Sequence, residues 1–302
     1  MAGDLRGTWF VAPTAFADDG SLDVRSQRRL VEAAIAWGVE GVTALGVTSE
    51  PATLSPDERE AALRAVFESA DGRIPVVVGC SGPNAEAVLV LVGQARALGA
   101  AAAMVSAPPG LKDLAELPSF FAQVAREGGL PLVLQDEPAA TGVVLPVGVI
   151  LACLEASGTR AVKLEDPPTP PKIAALLAAD PALSVFGGLG GSAALGELRH
   201  GARGTMTGFA FPEILRAVRE AVEANDLVRA EALFDRFLPL IRFEAQPRIG
   251  LAIRKELLRR RGALASARTR VGELLDQPML VALDEILSRA GTRPSSEPLQ
   301  IG

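Results

Sequence analysis

The sequence predicts an α/β fold of the (β/α)8 TIM barrel class, extended by three C-terminal helices. Short apolar runs of β-forming residues recur along the chain, and from Thr8 to Gly204 they follow one another at intervals averaging about 28 residues, as strand–helix units of such a barrel do. Several runs are apolar on both faces, which is typical of parallel strands covered by helices. Eight such units favour a closed barrel over a doubly wound open sheet.

The eight predicted strands are short and end in turn-forming or polar residues. In chain order they occupy residues 8–16, 41–47, 75–80, 101–107, 131–136, 160–165, 183–188 and 204–209. Helical patterns lie between them. The segment 55–70 begins with Ser55 as a capping residue and Pro56 at the first helical position, and 83–100 ends in glycine, as helices often do.

Helical periodicity continues beyond the eighth unit. We interpret it as the last barrel helix followed by three more helices, and the polar end of the chain as unstructured. The predicted organisation is a barrel at 1–224, a helical extension at 225–290 and a mobile tail at 291–302, with no separate second domain.

Composition excludes several classes of protein. The net charge of −6 argues against a nucleic-acid-binding protein, which normally presents a basic face. No apolar run approaches the roughly 18 residues that a membrane span needs, and the first residues lack the pattern of a signal peptide. Cys80 and Cys153 form neither a disulfide framework nor a zinc motif, and no metal-ligand cluster is visible. We therefore expect a cytoplasmic protein without a metal.

One lysine stands out in a chain that strongly prefers arginine. Only four of the 30 basic residues are lysines, and Lys112, Lys172 and Lys255 lie in segments where solvation explains them. Lys163 instead ends the sixth predicted strand, where it should point to the carboxyl-end mouth of the barrel, the usual place of the active site in this fold. A desolvated lysine can become a neutral amine and form a Schiff base with a keto carbon, which arginine cannot do. The alternative is a lysine that reaches solvent or pairs with Glu165.

A second motif, "GVTSEPATLSPDER" at 46–59, follows the second strand and leads into a capped helix. Together with Lys163 and the eight-strand count, it resembles the dihydrodipicolinate synthase and N-acetylneuraminate lyase family, whose loop reads Gly-Thr-Thr-Gly-Glu, one further residue, then Ala-Thr-Leu. Val47 and Ser49 depart from that pattern. The matching positions are Gly46, Thr48, Glu50, Ala52, Thr53 and Leu54.

The resemblance implies a cofactor-free enzyme that binds pyruvate or another 2-keto acid as an imine on Lys163, and a homo-oligomer, either a dimer or a tetramer. By the same resemblance, Val47, Thr48 and Ser49 hold the carboxylate of the keto acid, with backbone N–H groups suited to an anion. Gly188 and Met206, on the seventh and eighth units, complete the expected substrate-binding set.

The chain departs from the family at the residues that move protons. It contains no tyrosine, and the position of the family's catalytic tyrosine, in the stretch "LQDEPAATG" at 134–142, is Gln135. The two remaining relay positions are Pro109 and Val47. Ala140 replaces the arginine that binds the second substrate carboxylate in dihydrodipicolinate synthases, so we expect a divergent member with another substrate.

Another group must then carry protons. Glu165, two residues past Lys163 on the same strand face, is the candidate for this role, with Gln135 orienting an oxygen or a water. Asp136 should point away from the mouth. For Asp166 and Glu137 we favour helix capping or pairing with arginines.

Several weaker patterns in the sequence are explained mainly by structural roles. The run from Gly188 to Ala193 is only a loose dinucleotide fingerprint and is read as a tight barrel loop. Thr205 or Thr207 could face the mouth, His200 is expected to lie at a helix end, and Cys80 is expected to be a packed thiol.

Three functions remain open from the sequence. The favoured one is a Schiff-base lyase, either an aldolase or a dehydratase acting on a 2-keto acid. The others are a non-catalytic keto-acid-binding or regulatory protein and a structural oligomer without a ligand. Genuine dihydrodipicolinate synthase activity is disfavoured by Gln135, Pro109 and Ala140.

Overall fold

The structure, a computed structural model, describes residues 5–301. The predicted barrel start at residue 1 and the last residue of the predicted tail, 302, lie outside the described residues. Eight parallel strands form a closed barrel in the order β1 to β8, with β1 hydrogen-bonded to β8. The strands are β1 Gly7–Val11, β2 Gly41–Ala44, β3 Val76–Gly79, β4 Ala102–Ser106, β5 Leu132–Asp136, β6 Ala161–Leu164, β7 Ser184–Gly187 and β8 Gly204–Thr207.

Helices follow the strands and cover the outside of the barrel. They are α1 Val24–Ala36, α2 Pro56–Ala70, α3 Ala85–Ala97, α4 Leu117–Gly128, the short α5 Pro138–Thr141, α6 Val147–Ser157, α7 Thr169–Ala179, α8 Ala194–Arg199 and α9 Pro212–Glu223. Three more form the C-terminal extension: α10 Leu227–Glu244, α11 Gly250–Arg260 and α12 Gln277–Arg289. The predicted fold class is thus confirmed. No helix in 5–301 is long and apolar enough to cross a membrane.

Local sequence explains where the elements begin and end. Ser55 accepts a hydrogen bond from the Glu58 N–H while the Glu58 side chain accepts one from the Ser55 N–H, which fixes the start of α2. The first strand is shorter than predicted and ends at Val11. Pro13 has no N–H to donate to a neighbouring strand, so the apolar run beyond it cannot continue the ladder.

Side chains alternate between the two faces of each strand and form two separate hydrophobic cores. The larger one fills the space between strands and helices. The smaller one fills the barrel interior and consists of Trp9, Val11, Val77, Ala102, Met104, Val133, Ala161, Phe186 and Met206. These residues establish which strand positions face inward, and hence which polar side chains reach the mouth.

The tail, for which mobility is predicted, makes several hydrogen bonds to the rest of the protein. The buried Arg261 donates to the carbonyl of Ser295, Trp37 donates its indole N–H to Ser296 at 3.1 Å, and the Leu299 N–H donates to Glu213 at 2.9 Å. Arg261 also stacks on the Trp37 ring, 3.8 Å from its centroid. A polar composition alone did not reveal these partners, which are distant in the chain.

Candidate active site

Lys163 lies on the inner face of the barrel at the carboxyl end of β6. Ala161, two residues earlier, belongs to the inner core, so Lys163 also points inward. Its neighbours in register are Gln135 on β5 and Phe186 on β7. The side chain is 6% exposed. The amine therefore sits nearly desolvated above a packed floor, at the end of the barrel where the loops meet.

Two carboxylates and one amide surround this amine. The Lys163 Nζ lies 2.9 Å from Oε2 of Glu165. The Gln135 Nε2 donates to the same Glu165 oxygen at 2.8 Å and to Oε2 of Glu137 at 2.7 Å. Gln135, Glu137, Lys163 and Glu165 thus form one hydrogen-bonded cluster, called the mouth cluster below.

Gly188 fixes the position of Glu165. A Cβ at Gly188 would lie 2.4 Å from the Cγ of Glu165, so only glycine allows this close approach. The next residue, Leu189, donates its N–H to Glu165 Oε1 at 3.3 Å. The structure therefore places Gly188, a predicted substrate contact, directly against the carboxylate beside Lys163.

Glu137 occupies the N-cap position of α5, as predicted, but its side chain makes no capping hydrogen bond and joins the mouth cluster instead of pairing with an arginine. Gln135 faces inward, so Glu137, two residues later, follows it into the mouth. Burial raises the pKa of the Glu137 carboxyl to about 7; the charge of Glu165 adds to the rise and that of Lys163 opposes it. Glu137 directly follows both the predicted strand at 131–136 and β5 itself, which ends at Asp136.

Asp136 points to the other side, as its position predicted. It is buried between barrel and helices, where it contacts the Lys172 Nζ at 2.6 Å; Asp166 contacts the same amine at 2.9 Å. Burial raises the pKa of Asp136 despite this pairing. Lys172 is therefore not simply solvated, because it neutralises two acids behind the strands that carry the mouth cluster.

The loop after β2 forms the opposite wall. Val47–Ser49 is one turn of 3-10 helix, and no described residue accepts a hydrogen bond from the N–H groups of Val47 or Thr48. The buried Thr48 hydroxyl also has no partner within 5–301. The hydroxyl of the buried Ser49, in contrast, donates to the Ala12 carbonyl at 2.6 Å. Ser49, a predicted substrate contact, therefore holds the loop, whereas Val47 and Thr48 offer donors.

Glu50 ties this loop to the C-terminal extension. Its buried carboxylate accepts hydrogen bonds from the Lys255 Nζ at 2.6 Å and from the N–H groups of Arg270 and Val271 at 2.6 and 2.8 Å. The ring of Phe16 covers the Lys255 ammonium at 4.5 Å. Placing Lys255 on a solvated helix face was wrong, since the partner lies 205 residues earlier in the chain.

The remaining residues considered in the sequence are packed in the core or lie at the end of a helix. Met206 is fully buried in the inner core, so it packs below the mouth rather than presenting a surface to a substrate. Because Met206 faces inward, Thr205 and Thr207 face the helices, and the expectation that one of them enters the mouth is wrong. Cys80 is packed outside the barrel, and burial raises the pKa of its thiol to about 12. His200 ends α8 and contacts the Gly196 carbonyl through Nδ1 at 2.7 Å.

Across residues 5–301, no group of three or more His, Cys, Asp or Glu side chains could hold a metal ion. Pro109 and Ala140 are exposed. They occupy the positions at which the family that this sequence resembles has a tyrosine and an arginine. The mouth presents one amine, one amide and two carboxylates, and the Val47–Thr48 turn adds hydrogen-bond donors.

Comparison with known proteins gives a consistent family assignment. The model of the dihydrodipicolinate synthetase family matches residues 4–280. The chain is 32% identical over 271 residues to the L-2-keto-3-deoxyarabonate dehydratase of Azospirillum brasilense, covering 88% of this chain and 87% of that protein. It is 33% identical over 247 residues to the 4-hydroxy-tetrahydrodipicolinate synthase of Methanothrix thermoacetophila, covering 79% and 81%. The crystal structure of dihydrodipicolinate synthase from Rhodopseudomonas palustris superposes with a TM-score of 0.90 at 35% identity, covering 96% and 99% of the chains.

Proposed function

Because this chain belongs to the dihydrodipicolinate synthetase family, we propose that it is a Schiff-base lyase that acts on a 2-keto acid through Lys163. The observation that carries the proposal is the nearly buried Lys163 amine, aimed into the barrel mouth 2.9 Å from a carboxylate. The family includes lyases and dehydratases, and membership in it supports this broad class of enzyme for the chain.

Imine formation needs a neutral amine and a way to remove water. Glu165 is within hydrogen-bond distance of the Lys163 Nζ and can accept the proton that the ammonium must lose before it attacks the keto carbon. The nitrogen then forms a C=N bond, and the former keto oxygen leaves as water with protons returned by the mouth cluster. The resulting protonated imine withdraws electrons and makes the neighbouring C–H acidic.

The Val47–Thr48 turn supports the binding of the substrate carboxylate. Among the described residues, neither its two N–H groups nor the Thr48 hydroxyl has a partner, so these donors can serve an anion. A carboxylate held there would leave the keto carbon free to reach Lys163 across the mouth. Gln135, fixed between two carboxylates, retains its carbonyl oxygen to orient a hydroxyl or water of the substrate.

Within this class we favour a dehydratase of a 2-keto-3-deoxy sugar acid. The relative that is similar over 88% of the chain is a dehydratase of such an acid. Ala140 offers no charge to a second carboxylate, and the acidic mouth formed by Glu137 and Glu165 disfavours one. Dihydrodipicolinate synthase activity is therefore the less favoured alternative. A homo-oligomer, a dimer or a tetramer, remains part of the proposal.

The decisive experiment is reductive trapping. Incubation with pyruvate or a panel of other 2-keto acids, followed by borohydride, should add a stable mass to the peptide that contains Lys163, because the reduced imine is a secondary amine. Lys163→Arg should abolish the gain, whereas Lys112→Arg, at an exposed lysine, should retain it. Peptide mass spectrometry measures both.

Two other outcomes have defined meanings. Lack of a mass gain with every keto acid would refute the imine mechanism and favour a structural protein. A gain without turnover of any 2-keto-3-deoxy acid or aldehyde partner would favour a non-catalytic keto-acid-binding protein.

A further inference from the structure

The side chains of Glu137 and Glu165 are bridged by a single nitrogen atom, the Nε2 of Gln135. Both carboxylates accept from the Gln135 Nε2, at 2.7 and 2.8 Å, so each takes one of its two hydrogens. Glu137 follows β5, which carries Gln135, and Glu165 follows β6, which carries Lys163, and Gln135 and Lys163 are neighbours in register. When two acids share one largely buried site, repulsion between their charges favours the state in which one keeps its proton and the other is ionised.

We propose that Glu137 is a further catalytic residue and that it works with Glu165 as a pair holding one proton, which replaces the tyrosine absent from this chain. The inference rests on the proposed imine function. It assigns Glu165 to the nitrogen side of the reaction and Glu137 to the substrate carbon.

The geometry supports this division. Glu165 contacts the Lys163 Nζ directly, whereas Glu137 is held by Gln135 on the neighbouring strand. The charged and titratable groups that face Glu137 are Glu165 and Lys163. A pKa of about 7 for Glu137 suits a group that must both take and return a proton near neutral pH.

While Glu165 accepts the proton of the Lys163 ammonium, the shared proton lies on Glu137. Glu165 returns the accepted proton to the departing water as the imine forms, and the shared proton then passes from Glu137 to Glu165. In the elimination, the Glu137 carboxylate takes the proton from the carbon next to the imine carbon. The electrons of that C–H bond form the enamine double bond, and the imine nitrogen accepts the displaced π electrons. When these electrons return, the hydroxyl on the next carbon leaves with the proton that Glu165 carries, and water is released. Glu137 is then protonated and Glu165 ionised, so the pair still holds one proton and only its position has changed.

Hydrogen exchange into pyruvate tests this step separately from imine formation. In D2O, the wild-type protein should exchange the methyl protons of pyruvate, observed by NMR, because the imine and enamine interconvert. We expect Glu137→Gln to keep borohydride trapping within a few-fold but to slow exchange by about 10²–10⁴-fold, the usual contribution of a positioned base. Glu155→Gln, which removes an exposed acid from α6, is the matched control and should match the wild type.

The pH profile provides a second measurement. Wild-type exchange should rise as pH increases through about 7, where Glu137 ionises, and this limb should be absent from Glu137→Gln. Glu137→Asp should recover part of the exchange.

Each contrary outcome is distinguishable. No trapping by the wild-type protein would refute the imine function itself. Trapping by Glu137→Gln with undiminished exchange, or wild-type trapping without any exchange, would overturn the role of Glu137. Loss of both trapping and exchange in a folded Glu137→Gln protein would show that Glu137 only holds Lys163 in place, which also overturns the role.

Discussion

Most of the few lysines in this protein are buried in ion pairs, as are the side chains of Arg254 and Arg261. Three of the four lysines form ion pairs with acids at sites where the amine is at most 10% exposed: Lys163 with Glu165, Lys172 with Asp136 and Asp166, and Lys255 with Glu50. Scarcity of lysine was thus a sound signal of a buried amine, but it could not distinguish the amine in the mouth from two structural ones.

Glu197 on α8 is a buried acid outside the mouth cluster. One of its oxygens accepts from the Thr169 hydroxyl at 2.6 Å, and the other has no partner within the described chain. Burial raises the pKa of this carboxyl to about 7, with Thr169 opposing the rise and the charge of Glu165 adding to it. Between its ordinary pKa and this value, the folded protein binds a proton that the unfolded chain has lost, so Glu197 lowers stability as pH rises.

We predict that Glu197→Gln removes part of this pH dependence. A shift of this size amounts to about 3 kcal/mol once the group is fully ionised. The free energy of unfolding of the variant minus that of the wild type should therefore be about 2–3 kcal/mol larger at pH 8 than at pH 5. Urea unfolding at the two pH values measures this double difference, in which the contribution of Glu137 cancels. The exposed Glu155→Gln is the control, and an equal pH response in both variants would contradict the prediction.

At the scale of elements, the loop after β2 is shaped by contacts with α11. Leu45 and Glu50 both have φ of 54°, a left-handed conformation that costs a non-glycine residue of order 1–3 kcal/mol. The hydrogen bonds from Lys255, Arg270 and Val271 to Glu50 hold the loop in this conformation. The extension therefore sets the orientation of the Val47 and Thr48 donors through Glu50.

We predict that Lys255→Met weakens keto-acid binding more than it slows chemistry. It leaves the Glu50 carboxylate buried without its cation, so the loop should rearrange and KM should rise at least tenfold, with a smaller change in kcat. The loss of one partner from a buried pair costs about 3–5 kcal/mol, so the Tm should fall as well.

Steady-state kinetics and trapping at saturating keto acid measure this split. Arg259→Met changes a half-exposed cation on the same helix and serves as the control. Lys255→Met with Glu50→Gln should recover Tm but not KM, because the neutral pair no longer carries an unpaired charge. An unchanged KM in folded Lys255→Met would contradict the positioning role.

At the scale of the whole molecule, repeated local patterns were sufficient to predict the barrel. Strand spacing, apolar runs and capping residues act over short stretches, and the closed sheet follows from their number. Alternation also placed Lys163, Glu165 and Asp136 on the correct faces. The same rule applied to Glu137 and Met206 would have placed both side chains inside the barrel.

Contacts between distant parts of the chain could not be predicted. The pairs Lys255–Glu50 and Leu299–Glu213 are 205 and 86 residues apart, and no local pattern links them. Local reasoning therefore treated Lys255 as solvated and the tail as mobile. It also missed that Ser49 and Gly188 contact the protein's own backbone and side chains, because only the folded loops bring those groups together.

The placement of the two tryptophans has an optical consequence. With no tyrosine in the chain, near-ultraviolet fluorescence arises mainly from Trp9 and Trp37, both buried. Trp9 packs edge-on against Phe186, the neighbour of Lys163, whereas Trp37 lies under Arg261 outside the barrel. A Trp37→Phe protein would retain a single emitter beneath the amine, whose quenching or spectral shift would report ligand arrival in real time without any attached dye.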